Sequence, residues 1–289
     1  MTVKTISNFK LTAELAKRID GHYDAAEFVK LVNTAKDFLG STTLFGTSYK
    51  IDLSNQIHDS DPCLTNVMYM PPSDSSGKKN FCPWATEGCR RVCLGIGSGR
   101  MNQGKENLDS RNFDWNKTAV SQAQFKRAEL FIMNQQAFIA LMIVEIHKHT
   151  IKAENKNVKA ASRPNGSTDI LWEHIAPQLF EIFSDVQFYD YTKAPLNTRI
   201  NKPENYHITY SRAETIKNQT EATKYLEAGF NAAVVFNAEK HNLPEEYLGF
   251  PVIDGDIHDM RFKDSSGSIV GLAAKGAAKK DTSGFVVNI

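Results

Sequence analysis

Four cysteines, Cys63, Cys82, Cys89 and Cys93, are the whole thiol content of this 289-residue chain, and the last three share the loop Phe81-Cys-Pro-Trp-Ala-Thr-Glu-Gly-Cys-Arg-Arg-Val-Cys-Leu94. Pro83 and Gly88 interrupt regular backbone, so a C-x6-C-x3-C loop can wrap round one centre and turn its thiolates inward. Three chemistries fit. A 4Fe-4S cluster on Cys82, Cys89 and Cys93 would keep one iron open for a substrate or cofactor. A structural zinc would take Cys63 as its fourth ligand, although zinc sites usually show paired short spacings, and here they are six, three and an upstream gap of eighteen. The third reading is reduced bystander thiols or a disulfide pair. A disulfide needs an oxidising compartment, and the residues around Lys4 form no apolar signal sequence, so the host cytoplasm is the expected location.

A second set of chemistry-bearing residues falls where predicted strands end. Asn165-Gly166-Ser167-Thr168-Asp169 can cap a helix near Ile170 and hold an anion on its amides, and Ser211 follows another strand, so Asn165, Gly166, Ser167, Asp169 and Ser211 are candidate cofactor-binding residues. Asp190 and Lys193 follow a third strand and suit substrate binding or acid–base work. Asp254-Gly-Asp256-Ile-His258-Asp259 concentrates carboxylates that can bind a hard cation or simply make a turn. Asp190, Lys193 and Asp254 are the candidate catalytic residues, expected in one cavity with the cysteine loop at its rim. His147, His149, His174 and His241 lack ligand spacing and read as surface residues.

These residues need elements to hold them. Apolar spacing predicts helices at 12–18, 24–39, 119–133, 135–155, 170–183 and 213–228, with strands at 66–70, 158–162, 186–191, 206–210, 232–236, 251–253 and 269–272. Strands alternating with helices predict an α/β fold, a partial or open (β/α) barrel of about six parallel strands, with a doubly wound sheet as the alternative. Residues 1–50 read as an N-terminal helical cap, and 51–289 as the barrel-like domain carrying the cysteine-cluster loop 81–94.

Composition bounds the function classes. With 41% hydrophobic and 23% charged residues and a net charge of +1, the chain reads as an ordinary globular protein without a global case for nucleic acid. The apolar run Phe138–Val144 is too short to span a bilayer. Lys78, Lys79, Arg90, Arg91, Arg100 and Lys105 against Glu87 and Glu106 make the cysteine neighbourhood basic, which suits an anionic partner or a solvated loop. A small-molecule or nucleotide substrate is expected, nucleic acid stays open, and no membrane is involved.

The segments Cys82-Pro83 with Cys89 and Cys93-Leu94, Asn165-Gly-Ser-Thr-Asp169, Phe188-Tyr-Asp-Tyr-Thr-Lys193, Val252-Ile-Asp-Gly-Asp256 with Asp259-Met-Arg-Phe262, and Gly271-Leu-Ala-Ala-Lys-Gly276 together resemble an uncharacterised family of bacteriophage proteins over about residues 60–289. A looser similarity is to radical S-adenosylmethionine enzymes, whose three-cysteine loop follows the first strand of a partial barrel. Their usual spacing is C-x3-C-x2-C with an aromatic residue before the last cysteine, whereas Val92 stands there in this chain. That similarity implies a 4Fe-4S cluster and S-adenosylmethionine as cofactors, with zinc as the alternative. The expected function is a phage-encoded iron-sulfur enzyme; the other readings are a zinc-stapled enzyme acting on nucleic acid or a nucleotide, and a non-catalytic inhibitor of a host protein.

Overall fold

The structure is a computed structural model that describes residues 8–57, 60–97 and 113–289. Lys4, Arg100, Lys105 and Glu106 lie outside the described residues. In chain order the elements are α1 (Ala13–Ile19), α2 (Ala25–Leu39), β1 (Phe45–Gly46), α3 (Tyr49–Ser54), β2 (Cys63–Met68), α4 (Glu87–Arg91), α5 (Leu94–Gly97), α6 (Ala119–Met133) and α7 (Gln135–Glu154). They continue with β3 (Lys159–Arg163), α8 (Trp172–Ile175), α9 (Gln178–Ile182), β4 (Gln187–Thr192), β5 (Tyr206–Ser211), α10 (Ile216–Glu227), β6 (Asn231–Asn237), β7 (Glu246–Tyr247), β8 (Phe250–Asp254), β9 (Ile269–Ala273) and β10 (Val286–Asn288).

The expected barrel of about six parallel strands is not what forms. The strands make one mixed ten-stranded sheet in the order β1-β2-β3-β4-β5-β6-β9-β8-β7, with β10 added on β6. Neighbours from β2 to β8 run parallel, while β1 on β2 and β7 on β8 are antiparallel. Two features defeated the sequence expectation. β9 inserts between β6 and β8, which breaks consecutive strand order, and the edge strands β1 and β7 are only two residues long, too short to carry a period. Among the described residues no pairing joins the β1 edge to the β7 edge.

Local chemistry explains most element boundaries. Thr12, Asp24, Thr118 and Thr215 each accept an N–H in the first turn of α1, α2, α6 and α10, satisfying a donor the helix itself leaves free. The single helix expected at 170–183 is two, because Pro177 has no N–H to continue the ladder and Ala176 before it leaves the helical region. α7 is buried nearly all round, between α2 and α6 on one side and β2 and β3 on the other. This overturns the surface reading of two histidines: His147 and His149 are both buried, and His149 Nε2 lies 2.9 Å from the Leu64 carbonyl and 3.1 Å from that of Ala161. The N-terminal helices share this core, since Phe28, Val32, Ala35 and Leu39 of α2 belong to the same cluster as α7. Burying Phe28, Val32 and Leu39 contributes about 1.5–3 kcal/mol each.

Period-two alternation gives the sheet two different faces. Phe188, Tyr206, Ile208 and Tyr210 join the core beneath the helices, with Phe180 of α9 stacked at 4.8 Å on Tyr206. Tyr189 and Ala161 point the other way and meet Met260, while Phe262 touches the Tyr189 ring at 5.2 Å. The segment 256–264 therefore covers the face that the helices leave. At the strand ends, β6 pairs with β5 through residues 231–233 and with β10 through residues 235–237, so β10 lies just beyond the end of β5.

Candidate metal centre

The cysteine loop leaves the end of β2 and is held by partners remote in sequence. Thr86 caps α4 on Cys89 N, and its hydroxyl donates to Glu214 Oε2 at 2.7 Å, while Gly88 N donates to Glu214 Oε1 at 2.9 Å. A side chain at Gly88 would lie 2.5 Å from Ser283 Oγ and 2.7 Å from Glu214 Oε2, so only glycine lets the loop approach this closely. Val92 packs with Ala213, Ala274, Ala278, Phe285 and Val286, and Cys89 rests against that cluster. The tail that ends in β10 thus clamps the loop over the strand ends.

The sulfurs are surrounded by donors. Ser73 N donates to Cys82 Sγ at 3.1 Å, and Cys82 Sγ in turn reaches the Ser167 carbonyl at 3.7 Å. Cys93 Sγ lies near Lys193 and the backbone N–H groups of Gly95 and Ile96, the second of which donates to the Cys93 carbonyl at 3.2 Å. Burial pushes the Cys93 thiol up to about 12, with nearby Cys89 adding to it and the two N–H groups and Lys193 opposing. Cys82 is raised well above an ordinary thiol, first by burial and then by Cys93, Asp169 and Cys89, against the Ser73 N–H. Cys82, Cys89 and Cys93 are each half-buried as residues, while Cys63 is buried. Backbone donors and a lysine favour thiolates here, and low polarity opposes them until a cation supplies the missing positive charge. Among the described residues no three His, Cys, Asp or Glu side chains already stand together as a ligand set.

The Asn165–Asp169 turn is a structural hub. Asn165 Oδ1 accepts from Thr168 Oγ1, Ile170 N and Trp172 Nε1, and its Nδ2 donates to the Ile170 carbonyl at 2.8 Å. Gly166 lies so close to β2 that a Cβ would be 2.6 Å from the Met68 carbonyl. Ser167 Oγ donates to the Met70 carbonyl at 2.6 Å. Asp169 accepts from Thr192 Oγ1 at 2.7 Å and Lys193 N at 2.8 Å, and Arg199, fully buried, reaches both it and Glu173. Asp190 is wholly buried and accepts from Asn165 N at 2.8 Å, Asn165 Nδ2 at 3.1 Å and Tyr206 OH at 2.7 Å. Burial raises its carboxyl to about 7, with Tyr206 and Arg163 the chief opposing influences.

Lys193 occupies the opposite side of β4 from Asp190. Its Nζ donates to the carbonyl and Oγ of Ser211, at 2.9 and 2.6 Å, and stands 5.3 Å over the Phe285 ring. Asp254 closes a turn by accepting from Asp256 N at 2.8 Å and pairs with His241 at the β8 edge. The structure therefore gathers Cys82, Cys89, Cys93, Ser167, Asp169, Lys193 and Ser211 at the strand ends. It does not bring Asp190, Lys193 and Asp254 into one cavity: Asp190 is sealed under the helices and Asp254 lies on β8, at the far side of β6 and β9. Cys63 begins β2, and at about 3.3 Å per residue it lies roughly 16 Å behind the end of that strand.

The basic surroundings are largely paired: Lys78 with Glu129 at 2.6 Å, Arg90 with Asp74 at 3.5 Å and Arg91 with Glu87 at 3.1 Å. Two surface hollows, one lined by Phe9, Leu15, Val144 and His147 and one by Asp61, Glu154 and Lys159, contain no residue of the cysteine loop. Glu214, which anchors the loop, carries no sequence signal beyond preceding a helix.

With this geometry in place, the comparison with known families is decisive on kinship. Residues 41–289 match the family model "Gene product 88", and the chain belongs to that phage-type family. No curated protein and no solved structure matches it. Among the described residues no helix is long and apolar enough to cross a membrane.

Proposed function

We propose that the chain is an iron-sulfur enzyme in which Cys82, Cys89 and Cys93 hold a 4Fe-4S cluster and leave one iron open to a chelating cofactor, S-adenosylmethionine being the one that the cysteine-loop layout suggests. The observation that carries this reading is that Cys82 Sγ receives the Ser73 N–H while Cys93 Sγ lies beside Lys193 and the amides of Gly95 and Ile96. Hydrogen bonds of that kind stabilise and tune thiolate-bound clusters. The position of Cys63 at the start of β2 argues against a four-cysteine zinc site, because the strand length separates it from the loop. Lys193 and the Ser167 turn border the sulfurs and are the residues on hand to orient a bound cofactor.

Anaerobic reconstitution with ferrous iron and sulfide tests the reading. The wild-type protein and Cys63→Ser should give a brown chromophore and, once reduced, a paramagnetic signal that changes when S-adenosylmethionine is added. Cys82→Ser, Cys89→Ser and Cys93→Ser should lose the chromophore. A colourless wild-type protein that takes up one zinc would refute the cluster, and a signal indifferent to S-adenosylmethionine would remove that cofactor.

A further inference from the structure

The face of the sheet covered by residues 256–264 buries charge that its own residues do not balance. Asp259 sits at the centre. It accepts from Arg163 Nη1 at 2.9 Å and Tyr189 OH at 3.3 Å, and Lys50 Nζ stands 3.7 Å from its other oxygen. Arg261 has no exposed surface. Its Nη2 is used by His258, but Nη1 has no acceptor, and Nε stands 3.3 Å from Asp264 Oδ2 without the alignment of a hydrogen bond. Arg163 Nε also lacks an acceptor. A buried donor left without a partner costs about 1–3 kcal/mol, more when charged, so unpaired guanidinium N–H groups need an explanation. Three cations, Lys50, Arg163 and Arg261, face two carboxylates, Asp259 and Asp264, while the nearby Asp256 is paired with Lys275.

Burial weighs on the charged forms of these groups. Burial lowers Lys50 to about 8, with Asp259 and Asp256 opposing the fall and Arg261 and Lys275 adding to it. Burial raises Asp264 to about 6 despite Arg261 and Lys50 beside it. The cluster is not sealed: the side chains of Lys50, His258 and Arg163 keep 30%, 22% and 13% of their surface. Tyr191 presents its ring 4.9 Å from the Arg163 guanidinium. Tyr191 is two residues before Lys193, so the opening faces the same side of β4 as the lysine beside the cysteine loop.

We propose that Arg163, Arg261 and Lys50 form a binding site for the phosphate or carboxylate group of a small-molecule ligand, which enters over Tyr191. A guanidinium fork matches either anion bidentately, and an anion entering beside the partly exposed Arg163 and Lys50 would balance the third cation. The site stands on arginine geometry and shares no residue with the cysteine loop, so it is independent of the metal reading. If the metal reading also holds, the ligand's far end points toward Lys193, which makes an anionic small molecule the substrate class.

The test uses the full chain without metal, in chelator, at constant ionic strength kept with sodium chloride. Orthophosphate or malonate is titrated by calorimetry and followed by thermal unfolding. One of the two should bind, and at a hundredfold excess over Kd the wild-type Tm should rise by about 5 °C or more. Preference for orthophosphate assigns a phosphate-bearing ligand, and preference for malonate a carboxylate. Lys50→Gln and Arg163→Lys should each weaken binding at least tenfold, the second because lysine lacks the fork. Should Arg163→Lys fail to fold, Lys50→Gln on its partly exposed side chain carries the comparison. Absence of binding by both anions, or equal binding by wild type and Lys50→Gln, would overturn the proposal.

Discussion

Asp190 and Arg261 are both fully buried, one on each side of the sheet, and they are satisfied to opposite degrees. On the helix side both oxygens of the Asp190 carboxylate accept an N–H or O–H from Asn165 or Tyr206. On the other side Arg261 retains an idle Nη1, and Arg163 an idle Nε. A complete polar network accords with residues that hold the fold, whereas an incomplete one calls for an explanation, of which a missing ligand is one. By that criterion Asn165 and Asp190 build the platform, and Arg163 and Arg261 are the residues to which the proposed anion would bind.

The largest effect that would sharpen this contrast is at Asp259. Removing it in Asp259→Ala strips Arg163 and Lys50 of their counter-charge and should cost about 3–5 kcal/mol in urea unfolding. Phosphate should restore part of that loss. Failure of any anion to do so would place Asp259 with the purely structural residues.

Asp190 should reveal itself through pH. Its folded carboxyl, at about 7, lies above the ordinary value of about 3.9, so the folded state holds the proton more tightly than the unfolded chain. The stabilisation it gives is present below about pH 4 and is lost as pH rises to about 7, a change on the order of 2–4 kcal/mol. Unfolding midpoints of wild type and Asp190→Asn, compared across that range, should show the wild type losing ground as pH rises. Parallel curves would mean that the carboxylate is ionised throughout.

Smaller effects are expected where the tail clamps the loop. Glu214→Gln weakens the carboxylate grip on Thr86 and Gly88 and should cost about 1 kcal/mol of stability, with a clear loss of metal affinity at the loop. Gly88→Ala, which meets side-chain atoms of Ser283 and Glu214 rather than backbone, should behave similarly. Metal uptake equal to wild type in both variants would show that the clamp does not set the loop. Cys63→Ser should have the smallest effect on metal content of any cysteine change.

The sequence carried much of this at the level of elements. The helix at 119–133 was legible to the residue because Thr118 provides an N-cap and the apolar spacing begins at once. β10 was not, since Val286-Val287-Asn288 has no alternation to detect and forms only by pairing with β6. The cysteine loop was legible as a cluster of thiols through residue type and spacing. Its anchors did not, because Glu214 and Ser283 meet Gly88 only in three dimensions. Asp190 and Lys193 were grouped from their nearness in sequence, yet an odd separation along an extended strand sends two side chains to opposite faces. Counting by two would have parted them. The idle guanidinium groups could not be foreseen, because satisfaction of a donor is a property of packing and not of sequence.

Iron, zinc and acid-labile sulfide measured per chain in anaerobically reconstituted protein test the central claim most directly. The account predicts about four irons and four sulfides per chain in wild type and Cys63→Ser, and none retained in Cys82→Ser, Cys89→Ser or Cys93→Ser. One zinc per chain, no sulfide, and loss of the metal in Cys63→Ser would contradict it.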